Sequence, residues 1–117
     1  MNRINIVSVP VADQQSAKEF YLKMGLEVVT EAPMGNGQDW IQMRFPKGGV
    51  DITLVTWFKK MPAGSLHGIT ILTDDIEADV QDLRAKGIKA SDVDTQPWGK
   101  FSMVEDIDGN SWVLHQE

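Results

Sequence analysis

Residues 11–26, VADQQSAKEFYLKMGL, and residues 73–88, TDDIEADVQDLRAKGI, carry the reading of this chain. In the first stretch Asp13 stands where a helix N-cap belongs, its carboxylate able to accept an otherwise orphaned backbone N–H. Ala17, Phe20, Tyr21 and Met24 then recur at i, i+3, i+4 and i+7, the apolar stripe of an amphipathic helix, and Gly25 is placed to end it. In the second stretch Asp75 is the cap, Ile76, Val80 and Leu83 form the stripe, and Gly87 is the stop. Cap to cap and stop to stop the separation is 62 residues, so the two segments align without a gap and the chain reads as a duplication.

Working outward, the β-branched run Ile4 to Val11, interrupted by Ser8 and Pro10, predicts a strand before the first helix, and Gly68 to Thr73 predicts one before the second. Leu26 to Thr30 and the segment from Ile88 follow the helices as strands. Two further strands per half flank turn-rich segments: Asp39 to Phe45 and Val50 to Trp57 around Pro46-Lys47-Gly48-Gly49, then Lys100 to Glu105 and Ser111 to Gln116 around Asp106-Ile107-Asp108-Gly109-Asn110. Each half is then strand, helix and three strands, an α+β chain of two tandem βαβββ modules. The expected organisation is one domain over 1–117, with module one over about 1–57, a linker over 58–66 and module two over 67–117.

Composition narrows the function classes. A chain of 117 residues, 42% hydrophobic and 24% charged, has the make-up of a soluble globular protein. Lys and Arg number 11 against 17 Asp and Glu, and the resulting net charge of −6 weighs against nucleic acid or an anionic membrane as partner. Without cysteine there is no disulfide framework, thiolate nucleophile or cysteine metal site, and the start Met1-Asn2-Arg3-Ile4 lacks a signal-peptide core, so a cytoplasmic location is expected. No apolar run approaches the roughly 20 residues that span a bilayer. Gly-rich phosphate loops, a serine nucleophile elbow and a His-Glu-x-x-His pattern are absent. Asp74-Asp75 and Asp106-Asp108 read as helix-start and turn residues rather than acid–base pairs.

Strand alternation sorts the side chains. Ile52, Leu54, Trp112 and Leu114 fall on one face, expected under the helices, and Asp51, Thr53, Val113 and His115 on the other. The mixed polarity of the second set suits a ligand cavity better than a dry core. Candidate ligand-binding residues there are Ser8, Asp51, Thr53, Thr70 and His115, with Arg44 and Glu105 joining if their faces allow; solvent exposure or cross-strand pairing is the competing reading of each. Of the tryptophans at 40, 57, 98 and 112, Trp112 reads as core, while Trp40 and Trp98, near loop ends, are candidates for an aromatic wall against a flat ligand.

Val11-Ala12-Asp13, Phe20-Tyr21 and Met24-Gly25-Leu26 in the first half, with Thr73-Asp74-Asp75-Ile76, Leu83-Arg84-Ala85-Lys86-Gly87, Gln96-Pro97-Trp98-Gly99 and Asp106-Ile107-Asp108-Gly109-Asn110 in the second, together resemble the vicinal-oxygen-chelate superfamily of glyoxalase I, extradiol dioxygenases and bleomycin-resistance proteins. The resemblance implies a mixed sheet curled around a cavity, helices on its outer face, and a homodimer. Metal-dependent members of that superfamily place ligands, commonly His and Glu, on the first and fourth strands of each module. Carried onto this sequence, those positions are Ile6, Gly68, Asp51 and Val113, of which only Asp51 can coordinate, whereas about three protein ligands are needed. His67 lies one residue from the expected position; a bulge could turn it inward, where His115 could join Asp51. The expectation is therefore a small-molecule binding protein, with no metal and no cofactor, sequestering a metabolite or antibiotic. The alternative is a lyase, isomerase or dioxygenase-like enzyme with a non-standard site around Asp51, His67 and His115, and a third possibility is an interaction domain.

Overall fold

Both expected caps form in the structure, a computed structural model that describes residues 1–117. The Asp13 carboxylate accepts from the Ser16 N–H at 2.8 Å and starts helix α1 (Gln14–Met24), which Gly25 closes. The Asp75 carboxylate accepts from the Ala78 N–H at 3.1 Å and starts α2 (Ile76–Ala85); here Lys86 is the C-cap and Gly87 follows it. The chain divides into two compact units, Met1–Ala63 and Gly64–Glu117.

In unit 1 the strands β1 (Ile6–Pro10), β2 (Glu27–Gly35), β3 (Gln38–Arg44) and β4 (Asp51–Val55) form one sheet in the order β1-β4-β3-β2, with β1 parallel to β4 and the rest antiparallel. Helix α1 packs on one face. Its Ala17, Phe20 and Tyr21 are buried, as are Val9, Ile41, Met43, Ile52 and Leu54 of the strands, and Phe20 meets Tyr21 edge to face at 5.1 Å. Side chains of this size each contribute about 1.5–3 kcal/mol when fully buried, so this layer is the unit's main source of stability. The buried Gln14 amide stitches helix to sheet, its Nε2 donating to the Asp39 and Leu54 carbonyls at 2.6 and 2.8 Å while its Oε1 accepts from the Asp39 N–H at 3.0 Å.

Unit 2 repeats the plan with β5 (Ile69–Leu72), β6 (Lys89–Ala90), β7 (Asp94–Gln96), β8 (Gly99–Glu105) and β9 (Ser111–Gln116), in the order β5-β9-β8-β6, and β7 also pairs with β8. β5 runs parallel to β9. Ile76, Val80 and Leu83 of α2 are buried, as are Val104, Trp112 and Leu114 of the sheet, so Trp112 is core as the sequence implies. The fold is α+β with two helices and two mixed sheets, and neither sheet closes into a barrel.

Three local features differ from the sequence expectations. β2 runs on to Gly35 and pairs with β3 through a hairpin turned by Asn36 and Gly37, whose φ values of 55° and 74° are the left-handed pair that an Asn-Gly turn supplies at low cost. The strand expected from Ile88 is broken into β6 and β7, because Arg84 donates to the Ala90 carbonyl and the Asp92 carboxylate while Ser91 turns its N–H to the Met103 carbonyl. The gap-free repeat also ends before the fourth strands. Ser8 pairs with Thr53 and its counterpart Thr70 with Val113, so Val113 matches Thr53, and the residue matching Asp51 is Ser111, not Val113.

Candidate functional site

Unit 1 leaves one face of its sheet free of helix, and the strand registers decide which side chains stand on it. Gln42 is opposite Thr53, and Thr53 is opposite Ser8, so these three share that face. By the two-residue period Trp40, Arg44 and Asp51 join them. The result is a hydrogen-bonded ladder. Trp40 Nε1 donates to Gln42 Oε1 at 3.2 Å, Gln42 Nε2 donates to Asp51 Oδ2 at 2.7 Å, and Arg44 grips both Asp51 oxygens, Nε to Oδ1 at 2.9 Å and Nη2 to Oδ2 at 3.0 Å.

The two ends of the ion pair sit in different surroundings. Asp51 is only 3% exposed, whereas the Arg44 side chain is 50% exposed. The hydrogen bonds from Arg44 hold the Asp51 carboxyl below the usual carboxylate range; burial works against this, and Gln42 and the charge of Arg3 add to it. Asp51 is thus an ionised, fully engaged acceptor rather than a base or an open metal ligand. Glu27 is the cross-strand neighbour of Arg44, and its charge, behind the dominant Asp51 contact, also favours the guanidinium. Gln42, which joins the tryptophan to the carboxylate, is the residue that sequence reasoning missed. The signal was present in the i, i+2, i+4 spacing of Trp40, Gln42 and Arg44 on one strand.

Among the other candidates in unit 1, Ser8 is half-buried and Thr53 is fully buried. Ile6 stands beside Asp51 in the β1–β4 register and carries no donor atom.

In unit 2 the helix-free face is of another kind. Thr70, exposed on β5, neighbours Val113. His115 lies between Leu72 and Phe101 in register, and its ring stacks on Phe101 with centroids 4.6 Å apart and planes 1° from parallel. His115 Nε2 is buried and makes no hydrogen bond. It lies over Gly99, where a Cβ would come within 2.7 Å of it, and the Gly99 φ of 142° adds a second reason for glycine at this place. Leu72 is 65% exposed and Met103, opposite Val113, is 48% exposed. Trp98, in the turn between β7 and β8, is 70% exposed.

His67 lies before β5, exposed, with its Nδ1 3.0 Å from Ser111 Oγ. His115 is four residues along β9 from Ser111, about 13 Å at the rise of an extended strand, so the two histidines attach to opposite ends of that strand. Gly68 and Val113 offer no metal donor, and no three His, Asp or Glu side chains converge. A depression of about 470 Å³ lies along α2 beside Asp92 and Val93, and not on either helix-free face. No helix is long and apolar enough to cross a membrane.

Residues 3–114 match the family model described as the Glyoxalase/Bleomycin resistance protein/Dioxygenase superfamily. Among solved structures, TnmS3, an antibiotic binding protein from Streptomyces sp. CB03234, is 36% identical and superposes with a TM-score of 0.92 over 99% of this chain and 96% of its own. The uncharacterized protein YetH of Bacillus subtilis (strain 168) is 31% identical over 121 residues, 99% of each chain. A mitochondrial methylmalonyl-CoA epimerase of Bos taurus is 30% identical over 100 residues, 76% of this chain and 57% of the epimerase, so this chain matches little more than half the length of that relative.

Proposed function

Because the chain belongs to the glyoxalase/bleomycin resistance protein/dioxygenase superfamily, we propose that it is a small-molecule binding protein that sequesters a metabolite or an antibiotic without a bound metal ion or cofactor. The likeness to an antibiotic binding protein over nearly the whole of both chains carries this reading. The donor set at the metal positions supports it. Ile6, Gly68 and Val113 have no ligating atom, Ser111 is a neutral hydroxyl, and the Asp51 carboxylate is bound by Arg44 and Gln42. A divalent ion would have to displace a guanidinium to reach that one carboxylate, so these residues do not fit it, and no reaction step is derived through a metal.

The candidate ligand-binding residues are Ser8, Trp40, Asp51 and Thr53 on unit 1, with Asp51 and Thr53 acting from below the surface, and, on unit 2 taken by itself, Thr70, Trp98 and His115. A homodimer in the cytoplasm belongs to the same reading. The exposed apolar side chains of Leu72 and Met103 on a helix-free sheet face favour it, since such surface is normally covered.

The test is to expose untagged protein to nickel, zinc, manganese and cobalt, desalt it, measure metal by elemental analysis, and follow ligand-induced thermal stabilisation with and without chelator. Substoichiometric metal together with chelator-insensitive stabilisation by an aromatic antibiotic or metabolite is expected. One tight ion per chain would overturn the metal-free reading. A light-scattering mass of one chain would overturn the homodimer.

A second reading, an isomerase or lyase, is favoured by the partial likeness to an epimerase and by the contact between the exposed His67 and the buried Ser111 hydroxyl. It requires that His67→Ala or Asp51→Ala abolish a measured turnover. Unchanged turnover in these two variants and in His115→Ala would remove its named residues.

A further inference from the structure

We propose that Arg44 is the ligand anchor of unit 1 and that the ligand is a flat aromatic molecule bearing an acidic oxygen, a carboxylate or an ionised phenol. This rests on the small-molecule-binding reading above and narrows it to a chemical class. The argument is an inventory of donors and acceptors along the ladder. Both Asp51 oxygens are occupied, and their residue is buried. Gln42 Oε1 is taken by the Trp40 indole. Arg44 gives two of its five N–H donors to Asp51, and the others make no hydrogen bond in the protein although the side chain is half exposed. The buried carboxylate of the ladder is thus engaged while its half-exposed guanidinium keeps N–H donors to spare, which favours a ligand with acceptor oxygen and a charged one above all.

Geometry supplies the aromatic part. Gln42 fixes the plane of the Trp40 indole, and Asp51 fixes the guanidinium in a planar fork, so both recognition elements are oriented before a ligand arrives. Trp40 and Arg44 are four residues apart on one strand face, about 13 Å between Cα atoms. Because both stand on that face, a molecule can lay an aromatic ring against the indole and place its oxygens on the guanidinium. Asp51 is a positioning residue that acts through Arg44. Glu27, directly across from Arg44 on β2, competes for the same guanidinium and should weaken binding of an anion.

The experiment compares 2-naphthoate with the isosteric neutral 2-naphthamide by titration calorimetry, together with the Trp40 indole N–H resonance in two-dimensional NMR. Wild-type protein should prefer naphthoate by about tenfold or more, with saturable movement of the Trp40 signal. Arg44→Gln should abolish the preference. Because that change leaves the Asp51 charge without its partner, Arg44→Gln/Asp51→Asn, a neutral amide pair, is measured beside it and should fold normally and also fail to discriminate. Glu27→Gln should tighten naphthoate by about twofold and leave naphthamide unchanged. Equal saturable binding of both compounds to wild type, or discrimination that survives in the double variant, overturns the proposal and leaves the small-molecule-binding reading standing. Saturable binding of neither compound up to millimolar concentration overturns the proposal itself. The thermal-stabilisation screen with antibiotics and metabolites then decides whether the binding reading falls with it.

Discussion

Units 1 and 2 share a topology and place different chemistry at the same point of it. At the head of the last strand of each, a backbone N–H reaches the segment before the first strand: Asp51 donates to the Asn5 carbonyl at 3.1 Å, and Ser111 to the Leu66 carbonyl at 2.9 Å. In unit 1 that position carries a buried carboxylate held by an arginine; in unit 2 it carries a buried hydroxyl met by an exposed imidazole. Farther along the same faces unit 1 is a polar ladder, while unit 2 is an aromatic stack flanked by exposed Leu72 and Met103. The helix sides did not diverge in this way. Each keeps an aspartate cap and an apolar helix stripe over a buried aliphatic and aromatic layer. A duplicated fold is constrained where both copies must exclude water, and it is free to vary on the face that no helix covers.

The sharpest way to break this contrast is on the unit 2 face. Gly99→Ala pushes a Cβ to within 2.7 Å of His115 Nε2 and 2.8 Å of the Gln116 carbonyl at a φ of 142°, and should destabilise the protein by about 2–3 kcal/mol in urea titration. Gly37→Ala, at a φ of 74° with open space around it, is the control and should cost about 1 kcal/mol. If the two variants proved equal, the His115–Gly99 approach would lose its claim to shape that face.

Next in size is the comparison at the shared strand position. Asp51→Ala strands a partly buried guanidinium and an amide, and should cost about 1–3 kcal/mol; Ser111→Ala removes one hydroxyl contact with an exposed histidine and should cost under about 1 kcal/mol. The reverse order would mean that unit 2, not unit 1, holds the structurally committed polar group. His67→Ala, which leaves the buried Ser111 in place, should change stability by no more than about 0.5 kcal/mol.

The smallest effect is a pH signature. Arg44 depresses the Asp51 carboxyl below its ordinary value of 3.8, so the stabilisation from the pair is fully present above that value and is lost as pH falls through the lower folded value. Wild type should therefore lose stability below about pH 4 more steeply than Asp51→Asn, which has no such proton to take up. Parallel acid limbs in the two proteins would show that the Arg44–Asp51 pair contributes nothing.

Much of this was legible before the structure. Asp13 and Asp75 announce their helices because a cap is a local hydrogen bond between residues three apart. The break between β6 and β7 was not legible, because it depends on Arg84 reaching a carbonyl six residues away in sequence and on pairing with β8. Thr53 and Asp51 read as cavity-facing from their alternation. The strand registers put both on the helix-free face, and how deeply they lie below the surface depends on neighbouring side chains that the alternation does not specify.

Sequence by itself determined the caps, the apolar stripes, the duplication and the inability of Ile6, Gly68 and Val113 to ligate a metal, because each of these is a property of residue type and near-neighbour spacing. Tertiary structure decided that Ser111 is the counterpart of Asp51, that Gln42 joins Trp40 to Asp51, and that the one carboxylate at the metal positions belongs to Arg44. Those facts come from strand register, which is fixed by packing and hydrogen bonding over the whole sheet, and a shift of two residues in register changes every partner while leaving the hydrophobic pattern intact.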